Sequence, residues 1–109
     1  MTAHHKVRYL QANVNHCKAA QALLCHHLAE KDVDFAAIAE PYRVQDHPRW
    51  VQDLDGAAAL TWTDNARTKP APIDVRWRAH GHVAINWGDT IIVSCYISPK
   101  RQSSLRDLP

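Results

Sequence analysis

Three side chains in this 109-residue sequence combine a useful chemical type with a suggestive position: Asn13, Glu40 and Tyr96. Glu40 closes the apolar run Phe35-Ala36-Ala37-Ile38-Ala39 and precedes Pro41. A carboxylate at the end of a buried strand is a hard oxygen donor. Mg²⁺ takes such donors, usually one or two carboxylates, and keeps several waters. Asn13 could orient that carboxylate, or contact a phosphate through its amide. Tyr96 could donate a hydrogen bond to a phosphate oxygen. Each also has a plainer role. An Asn after a strand is usually a turn or cap residue, and a Glu before Pro a solvated strand end. A Tyr in a strand is usually packed, with its hydroxyl finding water. Periodicity alone favours the plainer roles.

The elements that must position these residues can be read from pattern. Val7–Ala12 is short and mixed and reads as a strand ending at Asn13-Val14-Asn15. His16–Lys31 has no Gly or Pro and is rich in Ala, Leu, Gln and Lys, as a helix requires. Ala20, Leu23, Leu24, His27 and Leu28 share its apolar face, with Asn15 as the expected N-cap. Phe35–Ala39 has strand length but no alternation, which suits a strand covered on both faces. Pro41 is expected to hold Glu40 extended. Tyr42–Asp55 reads as a loop, Ala57–Thr63 as a strand, and Asp64–Pro72 as a second loop. His82–Trp87 and Thr90–Ile97 flank Gly88-Asp89 and read as an antiparallel hairpin. Ser103 or Ser104 reads as the cap of a further helix. Asn13, Glu40 and Tyr96 therefore fall at or near strand ends, where sheet proteins tend to assemble sites.

Composition bounds the function classes. Hydrophobic residues make up 46% of the chain, which argues for a globular domain rather than disorder. A formal net charge of +2 is too balanced to argue for nucleic acid by itself. No apolar stretch is long enough to span a bilayer, and Met1–Lys6 has no signal-peptide pattern. Cys17, Cys25 and Cys95 are odd in number and lack CxxC spacing, so they read as reduced, partly buried thiols of an intracellular protein. Arg67, Lys69, Arg76 and Arg78, with Trp77 among them, could track a DNA backbone or line a solvated strand face.

Five ordered blocks carry a family resemblance. They are Leu10 to Gln21, Ala39-Glu40-Pro41-Tyr42-Arg43, Trp50 to Ala59, Trp87-Gly88-Asp89, and Val93-Ser94-Cys95-Tyr96-Ile97-Ser98-Pro99. Together they resemble the endonuclease domain of R1-type non-LTR retrotransposons, within the endonuclease/exonuclease/phosphatase superfamily. The likeness covers residues 7–99 of a single incomplete domain, 1–109. It implies an α/β (α+β) fold, part of a four-layer αββα sandwich. It implies a Mg²⁺-dependent endonuclease that nicks target DNA for retrotransposition and works in the nucleus. Carried over by position, Asn13 places the phosphate and the metal-binding group, Glu40 is the metal ligand, and Tyr96 lies beside the scissile phosphate. Asn15 and Arg43 match positions near the DNA. The family continues with an Asp-Asn pair and an Asp-His pair. After Pro99 this chain has one acidic residue, Asp107, and no His, while Lys100 stands where the family has Asn. The expectation is an N-terminal portion with negligible activity alone.

Other readings compete. A phosphatase or general exonuclease would keep the superfamily, but the Ala39–Arg43 block argues against it. A zinc module could draw on His16, Cys17, Cys25, His26 and His27, yet no Cys2His2 spacing is present and His26-His27 diverge on a helix. A non-catalytic remnant or interaction domain is the main alternative. Without a second half, Val83, Ile85, Ile91 and Val93 would lack a packing partner and promote self-association.

Overall fold

The computed structural model describes residues 7–44, 48–63 and 73–97. These form one helix and seven strands: β1 Tyr9–Asn13, α1 Lys18–Glu30, β2 Phe35–Ala39, β3 Trp50–Gln52, β4 Ala58–Trp62, β5 Ile73–Ala79, β6 His82–Trp87 and β7 Thr90–Cys95. The first four strands make one sheet in the order β1-β2-β4-β3, and the last three make a second in the order β5-β6-β7. β1 and β2 run parallel, with α1 as the crossover between them; the other pairings are antiparallel.

β2 shows why its sequence lacks alternation. Ala36 and Ile38 pack with Leu24, Leu28, Val14 and Val33 on the helix side. Phe35 faces the other way and joins Leu60, Val83 and Ile85 between the two sheets. Both faces are covered, so both must be apolar. Burying a side chain of this size contributes about 1.5–3 kcal/mol. The result, among the described residues, is helix on sheet on sheet. A second helical layer is not among them, and the helix expected near Ser103 lies outside them.

Val83 and Ile85 therefore have their packing partner within the chain, contrary to the expectation that they lack one. Ile91 and Val93 do not: each is 45% exposed on the outer face of the second sheet, beside Trp77. Asn86 pairs with Ile91 and Ala84 with Val93, which places both on the face opposite Ile85.

The helix corrects two expectations. Its buried face is Gln21, Leu24 and Leu28, with Ala20 partly covered, whereas Leu23 and His27 are exposed. Gln21, not Leu23, is the inward residue because it has backbone groups to satisfy. The N-cap is Cys17, in extended conformation and without a side-chain cap. Asn15 is left-handed instead (φ 53°), its N–H already taken by the Asn13 side chain. At the other end Asp32 is left-handed (φ 52°) and the Val33 N–H returns to the Leu28 carbonyl at 3.1 Å. This is Schellman closure, completed by packing of Val33 and Leu28 in one core.

Two further strands lie outside the expected set. β3 interrupts the expected loop 42–55. β5 forms a hairpin with β6 across His80-Gly81, where Gly81 takes a φ of 88°. A bulge between Val75 and Trp77 shifts the β5 register. The 64–72 loop lies outside the described residues. Asp53 ties the two sheets at this end. It is buried and accepts from Ala57 and Ala58 at 2.8 and 3.2 Å, and from Gly81 at 2.8 Å. Among the described residues no helix is long and apolar enough to cross a membrane.

Candidate functional site

Because β1 and β2 are parallel and in register, Asn13 and Ala39 end side by side. Glu40 follows immediately. Its N–H donates to the Ala57 carbonyl at 2.9 Å, and its own carbonyl accepts from the His16 N–H at 2.8 Å. These two bonds bend the chain out of the sheet. Glu40 takes a left-handed backbone, φ 50°, rather than the extended one expected ahead of Pro41. Pro41 disfavours the right-handed helical region for its predecessor, and the chain leaves the sheet through the left-handed one. Asn15, His16 and Glu40 thus place three non-glycine residues at positive φ around one point. Such conformations cost free energy and persist where the surroundings over-determine them.

The side chains converge there. Asn13 Oδ1 accepts the Asn15 N–H at 2.7 Å, which turns its amide nitrogen toward Glu40. That nitrogen donates to Glu40 Oε1 at 3.0 Å. The Tyr96 hydroxyl, arriving from the end of β7 in the second sheet, also hydrogen-bonds Glu40. Tyr96 is fixed by its N–H to the Gly81 carbonyl at 2.8 Å. His16 Nε2 stands 3.2 Å from Glu40 Oε2, and its Nδ1 contacts the Pro41 carbonyl at 3.1 Å. The Glu40 side chain keeps 19% of its surface open to solvent.

The electrostatics follow from these contacts. The Asn13 hydrogen bond holds the Glu40 carboxyl below its ordinary value, against the opposing effect of partial burial. Tyr96, and His16 when it carries a proton, add to the lowering. Burial raises the Tyr96 hydroxyl, and the Glu40 hydrogen bond and charge raise it further. Glu40 is thus a carboxylate, and Tyr96 a neutral donor, at neutral pH.

Asn13, Glu40 and Tyr96, singled out from sequence, are brought into one cluster. Asn15 joins it through its N–H to Asn13, Arg43 follows three residues after Glu40 in the chain, and both side chains are exposed. Arg43 is held through its backbone: Gln21 Nε2 donates to its carbonyl at 2.6 Å, and Gln21 Oε1 accepts from Tyr42 N at 2.7 Å and Arg43 N at 3.4 Å. An open groove of about 750 Å³ runs alongside, lined by Lys18, Gln21, Cys25, Tyr42 and Arg43 among others. Arg76 and Arg78 do not join it. Arg76 donates to Asn86 at 3.3 Å, and Arg78 reaches the Gln52 carbonyl at 2.7 Å. Arg67 and Lys69 lie outside the described residues. Of the cysteines, Cys17 and Cys95 are exposed and Cys25 is half-buried; all three are free thiols.

Sequence reasoning missed Gln21 and Asp53 as organising residues, and missed His16 as a partner of Glu40. Gln21 carried a signal: it is a polar residue in helical register with Leu24 and Leu28. His16 was readable only as one of several histidines. His26 pairs instead with Glu30 at 2.8 Å, one turn on. Among the described residues no three His, Cys, Asp or Glu side chains gather as a metal cage.

No protein-family profile matches the chain, and no curated protein sequence matches it. By structure, it is similar to the endonuclease domain of TRAS1, a telomere-specific non-LTR retrotransposon. The TM-score is 0.72 and the identity 25%, over 92% of this chain. The chain spans about half of that relative, 51% of its length. Its mixed α/β architecture of two sheets and a helix is that of an endonuclease-domain fold.

Proposed function

We propose that this chain, with its endonuclease-domain fold, provides the metal- and phosphate-holding part of a Mg²⁺-dependent DNA endonuclease that nicks target DNA for a non-LTR retrotransposon. The carrying observation is the convergence of Asn13 and Tyr96, from two different sheets, on the single carboxylate of Glu40. The donor set suits the ion. Glu40 offers hard oxygen, it is ionised, and its lone pairs are not exhausted by the Asn13 and Tyr96 donors. Bound there, Mg²⁺ would neutralise charge that develops on the phosphoryl and leaving oxygens.

The chain's own residues divide the remaining work. Asn13 orients the carboxylate. Tyr96, neutral and already aimed at the site, would turn its single O–H from Glu40 to a non-bridging phosphate oxygen when DNA binds. Asn15 and Arg43 engage the DNA backbone beside the groove, with Lys18 on the same wall. Nuclear action follows from this task. The Asp-His pair that activates water in the resembled family has no match after Pro99 in this sequence, which has no His there. Loss of members of a catalytic unit costs several orders of magnitude in rate. The 109 residues alone are therefore expected to bind but not turn over.

The test is plasmid nicking with Mg²⁺ on the purified chain and on Glu40→Ala, together with duplex binding by fluorescence anisotropy. The expected result is no nicking by either protein and weaker binding by Arg43→Ala. Nicking by the wild type alone would overturn the inactivity and keep the site. Duplex binding unaffected by Arg43→Ala and Mg²⁺ would overturn the DNA-facing assignment.

One observation favours a second, non-catalytic reading as an interaction domain. Trp77, Ile91 and Val93 form an exposed apolar face on the second sheet. Self-association through it would appear as a dimer by light scattering that Val93→Lys abolishes.

A further inference from the structure

We propose that His16 is a second ligand beside Glu40, so that the site takes a divalent cation between His16 Nε2 and Glu40 Oε2 and prefers a borderline ion such as Co²⁺ or Zn²⁺ to Mg²⁺. This rests on the reading of Glu40 as a metal ligand and deepens it.

The argument begins with the ring. The Pro41 carbonyl can only accept, so the His16 Nδ1 that contacts it at 3.1 Å is the protonated nitrogen. In the neutral imidazole the lone pair then lies on Nε2. Nε2 faces Glu40 Oε2 at 3.2 Å, and that oxygen is also an acceptor. Two acceptors at this distance repel unless a proton or a metal ion lies between them. A proton makes the pair an ordinary ion pair; a metal ion makes it one edge of a coordination shell, and the two differ in which cations the pair then binds. Two adjacent ligands, each about 2.1 Å from a metal, sit about 3 Å apart, so the observed separation already matches one edge of a coordination shell.

The second contact strengthens the case. Histidines that bind metals nearly always donate their other ring N–H to a carbonyl or carboxylate, which fixes the tautomer and aims the ligating nitrogen. The Pro41 carbonyl has that role here. Backbone bonds keep the pair together: the His16 N–H donates to the Glu40 carbonyl at 2.8 Å, and Asn13 holds the other Glu40 oxygen. His16 remains 59% exposed, which leaves the outer positions to water or a phosphate oxygen. An imidazole nitrogen favours Co²⁺ and Zn²⁺, whereas Mg²⁺ prefers oxygen alone.

The test uses Co²⁺ and Mg²⁺ alone on the purified chain in a Cys17→Ser background, which removes the adjacent exposed thiol. Affinities come from calorimetry. Site occupancy comes from hyperfine-shifted imidazole protons in the NMR spectrum with Co²⁺, assigned to His16 by their loss in His16→Ala. The expected result is Co²⁺ binding at least about tenfold tighter than Mg²⁺. His16→Ala and His16→Gln should both abolish that preference and leave Mg²⁺ binding nearly unchanged. Glu40→Gln should lose both ions. If both His16 variants keep the Co²⁺ preference while Glu40→Gln loses both ions, the His16 ligand is overturned and the Glu40 reading stands. If Glu40→Gln binds as the wild type does, the metal reading of Glu40 falls with it. His16 is a surface side chain, so its variants should keep the wild-type far-UV circular dichroism.

Discussion

Asn13 Nδ2 lies 3.0 Å from Glu40 Oε1, a contact between residues 27 apart in sequence that end adjacent parallel strands. The Asn13 amide cannot swing away, because its oxygen is tied to the Asn15 N–H. This bond is the main reason the Glu40 carboxyl is lowered. In Asn13→Ala the Glu40 titration, followed by side-chain carboxyl NMR, should move up toward the ordinary range. The sign is that of a depressed carboxyl. Its contribution to stability is present above the unfolded value and fades as pH falls through the folded one. In the variant, with the folded value nearer the unfolded one, that contribution should be smaller at neutral pH and the loss on acidification correspondingly smaller. An unmoved Glu40 titration would show that the bond does not form in solution.

Gln21 satisfies three backbone groups of Tyr42 and Arg43 from the buried face of α1. Gln21→Ala strands those groups beside a core and should cost about 2 kcal/mol in urea unfolding. Amide exchange at Tyr42 and Arg43 should accelerate while that of β2 stays slow. Equal acceleration in β2 would mean that Gln21 supports the whole helix rather than the segment after Glu40.

Asp53 is buried and accepts from three N–H groups, two on the first sheet and one on the β5–β6 turn. Asp53→Ala should cost about 3 kcal/mol, since each bond is charge-assisted and each lost acceptor leaves a buried donor. Asp53→Asn should recover part of it by keeping one oxygen. A loss below about 0.5 kcal/mol in Asp53→Ala would mean that water replaces the carboxylate at no cost.

The two faces of the second sheet should respond differently. Ile85 is fully buried between the sheets, and Ile85→Ala should cost about 3 kcal/mol. Val93, on the outer face, should tolerate Ala within about 0.5 kcal/mol. Similar losses at both positions would mean that the outer face is covered in solution.

Much of the fold was legible because pattern and burial agree. Phe35–Ala39 has no alternation and is covered on both sides. Gly88-Asp89 between two β-rich runs gave the β6–β7 hairpin to within two residues. β5 was not read, although Ile73, Val75 and Trp77 alternate with Asp74, Arg76 and Arg78. The basic residues suggested a binding face. The bulge after Val75 then put Trp77 on the outer face and aimed Arg78 at Gln52, so the alternation does not describe one buried side. At the site, Asn13, Glu40 and Tyr96 were visible through their positions at strand ends and through family resemblance. The backbone bend at Glu40 was not, because tertiary hydrogen bonds from Ala57 and His16 impose it. His16 was hidden for the same reason: only that bend brings it to Glu40.

The left-handed turns at Asn15, His16 and Glu40 also bear on how this sequence can drift. A non-glycine residue in that conformation is strained by roughly 1 kcal/mol or more, and glycine relieves most of it. At these three positions, mutation toward glycine is therefore the direction the backbone itself rewards. Each such change would relax the turn at the expense of a side chain that the proposed site uses. Retention of Asn15, His16 and Glu40 in related sequences, against that pull, would record a site in use.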